Sequence, residues 1–128
     1  MNILLDTHIL LWAAEGKLPK KAAKYIDDMN NTLFFSTASI WEIVIKNRLS
    51  RSDFFVDPPF LYKGLIDAGY KELDITGHHI LLISSLPALH KDPFDRLLLA
   101  QSAYEGINLL TADDAVAQYP GSIIHVKK

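Results

Sequence analysis

HKDPFDRLLLAQSAYEG, residues 90–106, decides how the rest of the chain is arranged. Pro93 suits the first position of a helix, where its missing N–H would have no partner anyway, and Asp92 before it can cap that end. Leu97 to Ala100 supply a buried face, the helix is expected to run to about Tyr104, and Gly106 stops it. Asp95 therefore stands one turn into a helix start, turned back towards that end of the molecule. Three other acids fall at comparable places: Asp6 directly after an apolar run, and Glu42 and Asp113 at the openings of two further helical patterns.

Outward from this stretch the chain alternates. Ile3 to Leu5, Leu33 to Ser36, Tyr70 to Ile75, Asn108 to Thr111 and Ser122 to Val126 read as short strands. Helices are expected over Ile9 to Ala14, Lys20 to Met29, Pro58 to Ala68, His79 to Leu86 and Asp113 to Gln118. Ser39-Ile40-Trp41-Glu42 has the form of a capping box opening one more, with Trp41, Ile45 and Leu49 along one face. Ser50 to Asp57 is a polar and aromatic connector. Short apolar strands alternating with helices predict an α/β fold, a parallel sheet covered on both faces. Ligands of such sheets gather beyond the carboxyl ends of the strands, and all four acids are expected at that edge.

The totals narrow the function. The chain has 128 residues, 49% hydrophobic and 22% charged, a globular composition with no repeat or linker, so one domain is expected over residues 1–128. A net charge of −2 gives no general attraction to polyanions. A nucleic acid would have to be held by a local basic patch or a bound cation. The absence of cysteine excludes disulfides and thiolate zinc sites. The N-terminus lacks the positive lead of a signal peptide, no segment is apolar for long enough to span a membrane, and a cytoplasmic protein is expected.

Each acid also has an ordinary explanation. Glu42 can reciprocate Ser39 in the capping box or pair with Lys46 one turn on; Asp95 can favour the positive end of its helix. Thr111 can cap a helix carrying Asp114 at its third position, which leaves Asp113 and Asp114 as alternatives. Asp6 is hardest to dismiss, because an isolated buried carboxylate is very costly. Together the four repel one another unless a cation neutralises them, and oxygen donors without thiolate select a hard ion, Mg²⁺ or Mn²⁺. Such an ion binds phosphate oxygens and acidifies water, the requirements of phosphodiester hydrolysis. Of the basic residues nearest in sequence (Lys46, Arg48, Arg51, Lys91 and Arg96), Arg96 is the best candidate for phosphate contact. His8 either reaches substrate or satisfies a local backbone group, and His90 shapes the loop before Asp92. Trp12, Trp41, Phe54 and Phe55 read as packing residues, or alternatively as a protein-binding groove.

Leu4-Leu5-Asp6-Thr7-His8, STASIWEIVIK at 36–46, HKDPFDRLLLAQS at 90–102 and LLTAD at 109–113 together resemble PIN-domain proteins, above all the VapC-type toxins of bacterial toxin–antitoxin pairs. The resemblance implies a three-layer α/β/α fold around a parallel sheet of about five strands. It implies a Mg²⁺- or Mn²⁺-dependent endoribonuclease, acting on RNA such as tRNA through a metal-activated water. Carried over by position, the acidic quartet is Asp6, Glu42, Asp95 and Asp113, with Asp92 in an outer role and Thr7 and Thr111 as neighbouring hydroxyls. A cognate antitoxin and a homodimer are the implied partners. Two rival readings remain: a catalytically silent PIN-fold module that binds RNA or protein, and a phosphatase or receiver domain built on Asp6. The second fits poorly, because His8 stands where a haloacid-type phosphatase has another Asp.

Overall fold

The computed structural model describes residues 1–49 and 56–127. Arg51, Phe54 and Phe55 lie outside the described residues, as does most of the Ser50 to Asp57 connector.

Five strands, β1 (Asn2–Leu5), β2 (Thr32–Ser36), β3 (Lys71–Leu73), β4 (Asn108–Thr111) and β5 (Ile123–His125), form one sheet in the order β3-β2-β1-β4-β5. Every pairing is parallel. The chain starts in the middle, moves out to one edge, then returns past β1 to build the other half. The turning point is therefore at β1, whose carboxyl end carries Asp6.

Alternation along β1 assigns the layers. Ile3 and Leu5 face a core shared with Ile9, Leu10, Ala22, Phe35, Ile43, Leu61 and Leu65. Phe35 comes from β2 and the others from α1 (Thr7–Glu15), α2 (Lys20–Asp27), α3 (Thr37–Arg48) and α4 (Pro58–Asp67). Leu4 faces the other way, onto Leu98, Leu99, Leu109, Val116 and Tyr119. That side holds α6 (Pro93–Glu105) and α7 (Asp114–Ala117), with α5 (Gly77–Ile83) against α6. The three-layer α/β/α arrangement follows, and β1 is apolar throughout its buried length because both faces are covered. Among the described residues no helix is long and apolar enough to cross a membrane.

Several helix starts differ from expectation: α1 opens at Thr7 rather than Ile9 and α7 at Asp114 rather than Asp113, and two others change a cap. α3 begins at Thr37, because Ser36 is already its cap: the Ser36 hydroxyl accepts the Ala38 N–H at 3.0 Å. Ser39 is inside the helix, where its oxygen accepts from the Thr7 hydroxyl at 2.9 Å, so no Ser39–Glu42 capping box forms. A capping box does open α5, with His79 in the position usually held by Glu. The Thr76 N–H donates to His79 Nδ1 at 3.0 Å, which puts the ring proton on Nε2, facing Glu105 at 2.8 Å. This fully buried neutral ring thus joins α5 to α6. His79→Ala is expected to lower the unfolding free energy by roughly 2–4 kcal/mol, since it leaves a cavity and removes both hydrogen-bonded ties. Urea denaturation checks this, and a loss below about 0.5 kcal/mol would contradict the assigned role.

Gln101 makes a second polar tie. Its Oε1 accepts from the Ser36 hydroxyl at 2.6 Å, and its Nε2 donates to the carbonyls of Leu73 and Asp74, each at 3.4 Å. The side chain is fully buried and pins α6 to the carboxyl ends of β2 and β3. That contact sets the rotation of the helix carrying Asp95.

Candidate metal centre

The β1 register pairs Leu5 with Leu110 and with Phe35, so Asp6, Thr111 and Ser36 lie level just past the carboxyl edge. Asp6 caps α1: its Oδ1 accepts the Ile9 N–H at 2.9 Å, and its Oδ2 accepts from the Thr111 hydroxyl. The same Thr111 oxygen accepts the Asp113 N–H at 3.0 Å. Asp113 in turn caps α7, accepting from Ala115 at 2.8 Å and Val116 at 3.2 Å. Thr111 is thus the link between two acids and not the helix cap. Asp114 is exposed and turned to His125, 3.0 Å away.

α6 delivers Asp95 to the same place. Asp92 accepts the N–H groups of Phe94 and Asp95, which fixes the first turn, and His90 Nε2 lies 2.7 Å from Asp95 Oδ2. Donor atoms of His90, Asp95 and Asp113 lie within 4.8 Å of one another. Glu42 arrives from α3, buried, with Lys46 Nζ 2.8 Å from its Oε2. Its Oε1 is buried with no hydrogen-bond partner among the described residues.

Asp6 and Glu42 are not in that group of three, but their charges act on Asp95. Burial raises the Asp6 pKa, against the Thr111 and Ile9 hydrogen bonds and His8, with Asp113 adding repulsion. Asp95 is pushed up to about 6, first by burial, then by the charges of Asp92, Glu42 and Asp6, while His90 opposes the shift. Asp6 therefore sits in the field of Asp113, and Asp95 in that of Asp92, Glu42 and Asp6. Carboxylates held so close favour either protons or a cation. The donor set is oxygen-rich and free of thiolate, and one buried carboxylate oxygen is unpartnered, so these residues fit a hard divalent ion such as Mg²⁺ or Mn²⁺.

The remaining candidates fall into place around this group. Thr7 is buried and joins α1 to α3 through Ser39. His8 is exposed at the start of α1, where its charge acts on Asp6. Arg96 departs from expectation. Its guanidinium donates to the carbonyls of Ile83, Pro87 and His90 at 3.0–3.3 Å and lies 3.3 Å from the Tyr119 hydroxyl. It holds the loop that carries His90 and is not placed as a phosphate contact. Arg96→Gln is expected to cost on the order of 2 kcal/mol and to speed hydrogen exchange across residues 84–91; unchanged exchange there would refute this. His90 does more than shape the loop before Asp92: its Nε2 lies beside the Asp95 carboxylate. Its one signal in the sequence was a position five residues before Asp95, from which the ring folds back over the first turn of α6.

A family model, the PIN domain, matches residues 3–122. No curated protein matches the chain in sequence. Among solved structures it resembles VapBC2 from Rickettsia felis, crystallised with a promoter DNA fragment (TM-score 0.75, 15% identity, covering 99% of this chain and 100% of that one). A toxin–antitoxin complex from Klebsiella pneumoniae is also similar (TM-score 0.67, 14% identity, 95% of each chain). So is VapBC-5, of the VapBC family of toxin–antitoxin systems, from Mycobacterium tuberculosis (TM-score 0.66, 12% identity, 99% and 98%). At such identities these likenesses are of fold. The sheet order, the acids at its carboxyl edge and a family match over nearly the whole length agree, and this chain belongs to the PIN-domain family.

Proposed function

We propose that the protein is a divalent-metal-dependent endoribonuclease, the toxin of a VapC-type toxin–antitoxin pair. The observation that carries this reading is the approach of His90, Asp95 and Asp113 to within 4.8 Å of one another, with the charges of Asp6 and Glu42 acting on Asp95, whose pKa is pushed up to about 6, and Glu42 Oε1 unpartnered among the described residues. Asp6, Glu42, Asp95 and Asp113 would hold Mg²⁺ or Mn²⁺. When bound, such an ion supplies Lewis-acid polarisation of a phosphodiester and acidifies water.

The residues of the chain do the rest. Thr111 orients the Asp6 carboxylate, and Lys46 fixes one oxygen of Glu42 so that the other faces inward. His90 Nε2 beside Asp95 Oδ2 can hold a proton released at the cluster. RNA such as tRNA, in the cytoplasm, is the proposed substrate. An antitoxin is supported by the toxin–antitoxin systems among the structural neighbours. An apolar groove of about 420 Å³, between the end of α1 and α4 and floored by Leu61 and Leu65, suits an antitoxin segment. The exposed Ile80, Leu81 and Leu89 suit a homodimer contact.

The rival, a silent PIN-fold binding module, also has an observation behind it: Asp6, Asp92 and Asp113 each cap a helix. Incubating antitoxin-free protein with total RNA, in Mg²⁺ or Mn²⁺ and then in chelator, separates the two. Discrete fragments that require metal are expected. No cleavage in any metal would favour the silent module.

A further inference from the structure

Trp41 immediately precedes Glu42 on α3, and Phe94 immediately precedes Asp95 on α6. Successive helical residues point about 100° apart, so each aromatic lies on the helix face adjoining that of its acid. The two rings meet edge to face, centroids 5.1 Å apart at 78°, yet Trp41 remains 55% exposed. We propose that Trp41, braced by Phe94, is a stacking shelf for one unpaired nucleobase next to the scissile phosphodiester. The inference rests on the nuclease reading and names the feature of RNA which that site selects.

Three observations favour a base as the occupant. A phosphodiester at the acids places its neighbouring base within a nucleotide's reach of a ring attached one residue away. The chain has a net charge of −2, so general attraction to the RNA backbone is absent and affinity needs another source. Stacking on an aromatic face supplies it without reading sequence, because every base has such a face. The Phe94 contact also holds the indole in place before binding, which lowers the ordering cost. A base in a duplex is already stacked on both sides, so the shelf selects single-stranded segments and loops.

The test is a cleavage series on a single-stranded RNA oligonucleotide, with one abasic residue walked along it, by wild type and by Trp41→Ala, Trp41→Phe and Trp41→Leu. Roughly a 10- to 100-fold loss in kcat/KM is expected for Trp41→Ala, carried by KM. One abasic position should impose the same loss on wild type and no further loss on Trp41→Ala. Phe should restore activity and Leu should not. Cleavage by Trp41→Ala equal to wild type would overturn the shelf and leave the nuclease standing, as would rescue by Leu. A change of oligomeric state in Trp41→Ala would assign the surface to a protein contact instead and overturn it too. Should wild type cut nothing, quenching of Trp41 fluorescence in a Trp12→Phe background decides. Saturable quenching by single-stranded but not duplex RNA supports the shelf, and its absence refutes it.

Discussion

Asp6→Asn is expected to lower metal-dependent RNA cleavage by roughly a hundred- to a thousandfold or more while the fold stays intact. Asparagine caps a helix as well as aspartate, so its oxygen keeps the Ile9 N–H bond that starts α1. Its amide then faces Thr111, whose hydroxyl can turn to accept where it now donates. What disappears is the charge, and with it the grip on a cation. Burial already makes that charge unfavourable in the metal-free protein, so the variant should unfold at the same or higher denaturant concentration. Asp6→Ala would mislead, because it also removes the cap and leaves the Thr111 hydroxyl without its acceptor. Circular dichroism beside the cleavage assay checks both halves. Cleavage within a few-fold of wild type would remove Asp6 from the proposed site.

Asp95→Asn should make the metal-free protein more stable at neutral pH. The Asp95 pKa rises from 3.8 to about 6 in the folded state, so the folded form holds this proton more tightly than the unfolded chain. That contribution is complete below about pH 4 and is lost as pH rises through 6. The difference amounts to roughly 3 kcal/mol at most, less whatever solvent screens at a side chain 18% exposed. Wild-type stability should therefore fall between about pH 4 and 6 on this account, and Asp95→Asn should lack that fall. Metal binding should run the other way, weakening in wild type below pH 6 as protons compete for the carboxylate. Thermal unfolding across pH, with and without Mn²⁺, reads both effects. A variant less stable than wild type at pH 7.5 would mean that Asp95 serves the fold through His90 rather than being strained for a cation.

Much of this was legible in the residues. Ile3-Leu4-Leu5 and Leu109-Leu110 are apolar without alternation because parallel central strands are covered on both faces, and that pattern carried the α/β reading. An acid set directly after such a run is costly unless partnered, so Asp6 stood out. The less legible features depend on which of two neighbouring groups wins a contact. Strand β2 passes straight into α3, so its own last residue, Ser36, is the cap, and Ser39 only has the right spacing. The histidine that closes the α5 capping box carries no acidic signature. Arg96 follows Asp95, but its length lets it reach carbonyls of the 83–90 segment, and spacing cannot tell that from reaching a substrate. Between Asp113 and Asp114, only the cap geometry shows that the first turns towards Asp95 while the second turns to His125.

Calorimetric titration of Mn²⁺ into wild type, Asp6→Asn, Asp113→Asn and Asp114→Asn tests most directly whether these acids form one cation site. Wild type should bind saturably, Asp6→Asn and Asp113→Asn should each lose roughly tenfold or more in affinity, and Asp114→Asn should bind as wild type does. No saturable heat from wild type, or a loss confined to Asp114→Asn, would contradict the central claim.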